Sequence, residues 1–520
     1  MRSLPILALL LLCAGALPAS AQGADCPSLA KLALPDATVS TAELVSSGSV
    51  TPPYGGAVTG LPAFCRVRGI LHPTSDSVIR FEVWMPVNDW NHRFLGAGNG
   101  GFAGSISYSE MGDNLKRGFA TAGTDTGHQG DAQDASWAYR HPEKIVDFGY
   151  RGLHLTTERA KAIVSRFYGE PAKKSYFDSC SDGGREALME AQRFPADYDG
   201  ILAGAPANDW TDMLAATVNE SKAFIGNPAG YISSLKLPAI TAAVLAQCDA
   251  QDGLKDGILN DPRNCHFDPA ALLCAGGDKL TCLTAPQVAS LKVIYRGGVD
   301  DAGRLIFPGL MPGDESHLWK SWLVGDGPGV SMYTQNYFRY MVFNNPDWSA
   351  LTADTDTALR EADAKTAQAL NATDPDLSRF AAHGGKLILY HGWNDPAISP
   401  LNTIAYYGQV QAKMGAAKTS EFVRLYMVPG MGHCAGGPGA TAFGQFGLTT
   451  AKGPKYGIFD ALEAWEEQGT APAAIVATKN DDDDKVLMTR PICPYPQVAK
   501  YNGSSNPEDS ASFACKAPSQ

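Results

Sequence analysis

Apolar residues recur along this chain in two rhythms. Short, nearly continuous apolar runs of strand length alternate with longer stretches in which apolar side chains return every three or four positions, the patterns of buried strands and amphipathic helices. From Val78 to Trp84 the alternation of Ile79, Phe81 and Val83 predicts a strand. Others are predicted from Phe94–Leu95 onward, up to Asp125 from Phe119, through Tyr176 and Phe177, and from Ile201 to Pro206. Tyr150 to Tyr168 predicts a helix with Leu153, Leu155, Ala160 and Ile163 near one face, and Arg185 to Arg193 predicts a second. Strands alternating with helices over loops of this length argue for a mostly parallel α/β sheet.

After Pro206 the rhythm is lost. Residues 207–383 mix helical patches with long Gly/Pro/Asp loops, and Trp319, Trp322, Tyr333, Tyr337, Phe338, Tyr340, Phe343 and Trp348 crowd one part of them. The sheet pattern resumes at Lys386 to His391 and at Phe422 to Val428, a helix is predicted from Gly457 to Gln468, and Asp481 to Asp484 reads as a solvated loop. We therefore expect one catalytic domain, residues 22–206 and 384–520, interrupted by a lid domain at 207–383. Most lid aromatics are expected to form its own core, and a few to face a cleft, where aromatic walls suit a planar ligand.

Three of the predicted strands end in residues with chemistry. The first runs into Cys180-Ser181-Asp182-Gly183-Gly184 directly before a helix, the setting in which a serine on a tight strand-to-helix turn exposes a nucleophilic hydroxyl. The usual Gly two positions before that serine is Ser179 here. The later strands end at Asp395 and at His433. The order Ser, Asp, His beyond strand ends is that of α/β-hydrolase triads, in which a neutral histidine relays the serine proton and a carboxylate orients the ring. His391 is a rival base, and Asp125 and Asp209 are rival acids. The glycine-rich Gly96 to Gly104 lacks the Lys-Ser/Thr ending of a phosphate loop and suits a backbone oxyanion loop instead.

Composition narrows the setting. Of 520 residues 44% are hydrophobic and 18% charged, with a formal net charge of −12; this balance is globular and excludes a basic nucleic-acid surface. Arg2, the apolar Leu4 to Leu12 and Ala19-Ser20-Ala21 read as a signal peptide over residues 1–21, and no later apolar run of about 20 residues suggests a membrane span. A secreted or periplasmic protein is expected. Removing the leader leaves ten of the eleven cysteines, and an even number in an exported chain implies disulfides. Nearness suggests Cys26 with Cys65, Cys248 with Cys265, Cys274 with Cys282 and Cys493 with Cys515, which leaves Cys180 for Cys434. Ten cysteines permit many other pairings. Adjacency favours the last pair, because neighbours of a hydrogen-bonded serine and histidine can meet the Cα separation of about 4.4–6.8 Å that a disulfide requires.

Cys180-Ser181-Asp182-Gly183-Gly184 with Gly432-His433-Cys434 resembles the tannase and feruloyl esterase family, which includes bacterial mono(hydroxyethyl) terephthalate hydrolases. The likeness extends through Arg193 to Pro206, His391-Gly392-Trp393-Asn394-Asp395 and Arg490 to Pro496. It implies an α/β-hydrolase core with a large inserted lid, and a serine esterase acting on small aromatic acid esters. Ser181 would be the nucleophile, His433 the base and acid, Asp395 its orienting carboxylate, and the oxyanion hole the backbone N–H of Asp182 with one from the Gly100-Gly101 pair, Gly101 being favoured over Gly100. It implies the Cys180–Cys434 disulfide and the other four pairs. It also implies a structural Ca²⁺ in the lid, far from the chemistry, held by the side chains of Asp249, Asp252 and Asp256 and the carbonyls of Leu254 and Ile258; three carboxylates at short spacing are hard oxygen ligands. The terephthalate hydrolases carry Phe three residues past the triad Asp, where this chain has Ile398, so that activity is the second reading. A non-catalytic phenolic-binding module is the third.

Overall fold

The computed structural model describes residues 23–518 apart from 47, 54, 326–330, 449–450 and 504–505; the predicted signal peptide, with Cys13, lies outside them. The apolar runs become strands β1 (Ala37–Val45), β2 (Phe64–Leu71), β3 (Ile79–Pro86), β4 (Arg93–Ala97), β5 (Ala120–Thr124), β6 (Lys174–Cys180), β7 (Gly200–Gly204), β8 (Lys386–Gly392) and β9 (Val423–Val428). They form one nine-stranded sheet in the order β1-β2-β3-β5-β4-β6-β7-β8-β9. From β5 to β9 every pairing is parallel. The β1, β2 and β3 end is antiparallel, as is the join of β3 to β5. Parallel strands are covered by helices on both faces, so they read as unbroken apolar runs; β7 is buried at every position. The edge strand β1 buries only Val39, and neither it nor β2, which alternates buried with partly exposed positions, was predicted as a strand.

The principal helices over the sheet are α1 (Gly152–Tyr168), α2 (Asp182–Arg193), α4 (Pro400–Met414) and α5 (Ile458–Gln468), with α3 (Trp210–Phe224) opening the insert. Two expected boundaries move. α1 begins two residues later than Tyr150, after a wide π turn at Asp147–Arg151. α2 begins at Asp182 rather than Arg185, because Ser181 itself makes the turn.

No strand of the nine-stranded sheet falls within 207–383. That insert has its own core, in which Ile232, Leu237, Ile240, Leu291 and Trp319 pack together. A second cluster joins its Trp210, Tyr337 and Phe338 to Phe102 and Phe148 from the sheet side. Pro228–Asp252 is long and apolar enough, by length and composition alone, to cross a membrane. Its helical part Leu237–Cys248 instead turns Leu237, Ile240, Val244 and Cys248 into the insert's core. The run Asp481–Asp484 is the exposed turn between Ile475–Asn480 and Val486–Ile492.

All five expected disulfides are present: Cys26–Cys65, Cys180–Cys434, Cys248–Cys265, Cys274–Cys282 and Cys493–Cys515. They fit a protein of an oxidising compartment.

Several carboxyls are buried under the helices. Burial pushes Glu186 on α2 up to about 8, with the Asp182 charge adding. Burial does the same to Glu220 on α3, also to about 8, and raises Glu190 well above the ordinary range. A carboxyl whose pKa is raised on folding binds its proton more tightly in the native state. Its stabilising contribution is therefore complete below its ordinary value of 4.5 and is lost as pH rises through about 8. The melting temperature is expected to fall between about pH 5 and about pH 8.5. Glu186→Gln, which cannot ionise, should make that fall shallower in differential scanning fluorimetry.

Candidate active site

β6 delivers Cys180 to the sheet edge, and Ser181 follows with φ 69° and ψ −124°, a region that non-glycine residues rarely occupy. The turn is over-determined. The Ser181 N–H donates to the Gly204 carbonyl (3.0 Å), and its own carbonyl accepts from the N–H groups of Arg185 and Ala207 (3.1 Å each). Ser179 is buried, and its hydroxyl fills the space that the absent side chains of two glycines leave: a Cβ on Gly98 would lie 2.6 Å from Ser179 Oγ, and one on Gly183 only 1.9 Å from it. The departure from the usual glycine pattern is thus a redistribution of volume, with a serine outside the turn matched by glycines on either side of it.

β8 ends beside Asp395 and β9 leads to His433, so both reach the same end of the sheet as Ser181. The Ser181 hydroxyl donates to His433 Nε2 (2.8 Å), and His433 Nδ1–H donates to Asp395 Oδ2 (2.7 Å). Asp395 is 1% exposed. Burial opposes its ionisation, but the His433 charge and the hydrogen bonds from His391 and His433 outweigh it and hold the carboxyl well below the usual range. The Cys180–Cys434 disulfide, with Cα atoms 6.0 Å apart, joins the residue before the serine to the residue after the histidine.

The two amides expected to form the oxyanion hole are without a backbone partner among the described residues. The Asp182 N–H is the first of α2 and has no partner within the helix. The Gly101 N–H makes no hydrogen bond among the described residues. Gly101 has φ +61°, and a Cβ there would stand 2.4 Å from the Ala132 carbonyl and 3.1 Å from Tyr333 Oη, whereas one on Gly100 meets nothing; the demand for glycine falls on Gly101. The loop is anchored from beneath: the Asn99 N–H donates to Glu186 Oε2 (2.8 Å), and the Asn99 side chain donates to the carbonyls of Ser105 and Thr124. The Asp182 carboxylate points inward to Arg185 Nε (2.6 Å), whose guanidinium lies over Phe148 and Trp210.

Of the eight crowded aromatics in the insert, Trp319, Tyr337 and Phe338 are fully buried in its packing. Trp322 is 40% exposed and meets the His433 ring edge-on at 4.8 Å. Tyr333 lies parallel to Trp322 at 6.4 Å and also contacts Phe102 of the glycine loop at 5.4 Å. The three rings form a line of contacts from the glycine loop to His433. Ile398 is buried on the Asp395 loop, its N–H donating to Asp395 Oδ1 (3.0 Å).

The rivals fall elsewhere. Asp125 accepts from the backbone N–H groups of Arg80 and Gly127, and Asp209 stands at the start of α3. His391 does not reach the serine; it bonds to Asp395. That contact, the Glu186 tether and Trp322 over His433 are site features the sequence reading missed. The spacing of four between His391 and Asp395 is the only trace of the first in the sequence, and the other two join residues far apart in it.

The acidic loop has the donor chemistry of a hard-cation site. Asp249 accepts from the Gly257 N–H (3.1 Å to each oxygen), Asp252 from those of Leu254 (3.0 Å) and Asn260 (3.2 Å), and Asp256 from that of Ile258 (3.2 Å). A single guanidinium, Arg490, reaches Asp256 (3.1 Å). Burial pushes Asp252 up to about 6, with the charges of Asp256 and Asp249 adding. Ile258, at the end of the loop, packs toward the turn after β9, its Cγ2 lying 3.4 Å from where a Cβ on Gly430 would stand. A tighter trio, His154, Glu190 and Asp197, has ligand atoms within 4.8 Å of one another. There a 2.6 Å hydrogen bond joins His154 to Asp197, and Lys161 donates to the Asp197 carbonyl.

The volume exchange around Ser179 is open to a direct check. Gly183→Ala should destabilise by about 1–3 kcal/mol through overpacking, and Ser179→Gly in the same chain should restore part of it, read as the coupling in a double-mutant cycle of urea melts.

Comparison with known proteins meets this geometry. The family model described as tannase and feruloyl esterase matches residues 65–516. An uncharacterized esterase of Xanthomonas campestris pv. campestris is 43% identical over 96% of this chain and 92% of its own length. A protein of Aspergillus flavus named probable feruloyl esterase B-2 is 35% identical over 90% of this chain and 92% of its own. The crystal structure of feruloyl esterase B from Aspergillus oryzae superposes with a TM-score of 0.89 at 31% identity, covering 94% of this chain and 99% of that one. Tannin acyl hydrolase from Aspergillus niger, at 23% identity with a TM-score of 0.74 over 93% of this chain and 92% of that one, shares the fold.

Proposed function

The chain belongs to the tannase and feruloyl esterase family and is a carboxylic ester hydrolase of the α/β-hydrolase type, and from that premise we propose that it is an exported serine esterase cleaving esters of small aromatic, phenolic acids. The observation that carries the reading is the unbroken hydrogen-bond chain from Ser181 through His433 to a buried, ionised Asp395. Ser181 Oγ attacks the ester carbonyl as His433 Nε2 takes its proton. The tetrahedral oxyanion is met by the N–H groups of Asp182 and Gly101. The intermediate collapses to an acyl-enzyme as His433 returns the proton to the leaving alcohol. Water, deprotonated in turn by His433, then releases the aromatic acid and restores the serine. The rings of Trp322, Tyr333 and Phe102 support an aromatic acyl group, because flat apolar walls favour a planar ring over a flexible chain.

Ser181→Ala is expected to lower kcat on methyl ferulate by at least ~10³-fold, with unchanged melting. Unchanged turnover would leave a phenolic-binding module as the better reading. Across methyl ferulate, methyl gallate, a chlorogenate-type ester, a terephthalate monoester and a simple aliphatic ester, the phenolic esters should give the highest kcat/KM. A preference for the terephthalate monoester would move the substrate class, and a preference for the aliphatic ester would overturn the aromatic reading.

We further propose that Asp249, Asp252 and Asp256, with the carbonyls of Leu254 and Ile258, hold a structural Ca²⁺ that offsets the mutual repulsion of the three carboxylates. Chelation should lower the melting temperature and added Ca²⁺ restore it; Asp252→Asn should abolish that response.

A further inference from the structure

One buried titratable group at the site has no part in the steps above. His391, near the end of β8, is fully buried. Its Nε2 faces two acceptors at once, Asp395 Oδ2 at 3.1 Å and the Ile398 carbonyl at 3.1 Å. Neither can donate, so Nε2 carries the hydrogen. In a neutral ring Nδ1 is then the acceptor, and the Thr403 hydroxyl on α4, 2.8 Å away, is its donor. The hydroxyl thus fixes which tautomer the ring adopts. On the other side, Asp395 is saturated: Oδ1 accepts from the N–H groups of Ala397 (2.8 Å) and Ile398 (3.0 Å), and Oδ2 accepts from both His433 and His391.

Two imidazoles therefore compete for one carboxylate oxygen. One of them, His433, also bonds to Ser181; the other is locked in place by Thr403. We propose that His391 is a positioning residue for ester hydrolysis, a second donor that fixes the Asp395 carboxylate and draws negative charge from the oxygen that holds His433. Without it, Oδ2 would be a stronger acceptor and would hold protonated His433 more tightly. The base would then keep a proton that it must pass to the leaving alcohol. With it, Asp395 stays ionised and aimed while its pull on His433 is tempered. His391 and His433 are the titratable groups that act on Asp395, so the balance is set between these two rings. The proposal rests on the reading of Asp395 as the orienting carboxylate of the triad.

The test is the pH dependence of kcat/KM on methyl ferulate, with thermal melts alongside, for the full chain carrying His391→Leu, His391→Gln or Thr403→Val. Removing the donor in His391→Leu should move the acid limb of the profile upward by about one pH unit, the size of losing one hydrogen bond to a charged group, and lower kcat about tenfold with KM little changed. His391→Gln, whose amide N–H can reach the same oxygen, should return the limb to its wild-type position. Thr403→Val should shift it in the same direction as His391→Leu but less, and it carries the test if the leucine variant does not fold. Lost activity with an unmoved limb, or a limb displaced downward, would overturn the proposal and leave His391 as packing. Turnover that survives Ser181→Ala would instead sink the triad reading on which it stands, so the two failures are separable.

Discussion

The Cys180–Cys434 bond is the constraint on which the site's geometry hangs. It joins residues 254 apart, so one covalent link closes a loop containing the whole insert, α4 and the strands β7, β8 and β9. The serine and histidine stand on different strand ends, and a hydrogen bond between two such loops is easily lost to a shift of an ångström. A bond between their immediate neighbours limits that shift. The backbone on both sides is held in uncommon conformations, Ser181 at φ 69° and Cys434 at φ 64°, and such conformations persist where surrounding structure over-determines them. Here the disulfide, the hydrogen bonds around Ser181 and the packing of Ser179 between Gly98 and Gly183 together supply that determination.

The same site shows how burial and hydrogen bonding divide labour among acids. Asp395 is buried yet ionised because the charge of His433 and the hydrogen bonds of two imidazoles outweigh its burial. Glu186 is equally buried but receives one backbone N–H, and burial prevails. The first carboxylate faces the reaction, and the second holds the floor of the glycine loop. Which role a carboxyl takes is decided by the charges and donors the fold brings to it.

How much of this was legible in sequence depends on the range of the interactions. The parallel strands were readable because burial on two faces leaves an unbroken apolar run, as in Ile201 to Ala203. β1 was not, since an edge strand with polar positions looks like a loop until its partner is known; β2 lies inside the sheet between β1 and β3 and does alternate, Arg66 and Arg68 with buried Val67 and Gly69, a signal the sequence reading passed over. Ser181, Asp395 and His433 were readable from their places at strand ends and their order, and the cysteines beside two of them added an independent signal. His391 was visible only as a competitor for His433, because the sequence cannot say to which atom of Asp395 a ring will turn. Ile398 was weighed as a pocket residue, while its backbone proves to be part of the Asp395 cradle. The insert was recognisable as irregular, but which of its rings would meet His433 depended on packing between Trp322 and Tyr333 that no local pattern encodes.

The buried acids also change what the molecule presents to its surroundings. The formal charge of −12 counts every carboxyl as ionised, yet burial pushes Glu186 and Glu220 up to about 8 and raises Glu110 and Glu190 well above their ordinary range. The protons of Glu186 and Glu220 stay mostly with the protein at pH 7. An approaching ester, and the carboxylate product that leaves, therefore meet a less negative body than residue counting implies. Electrophoretic mobility and ion-exchange behaviour will follow the smaller charge.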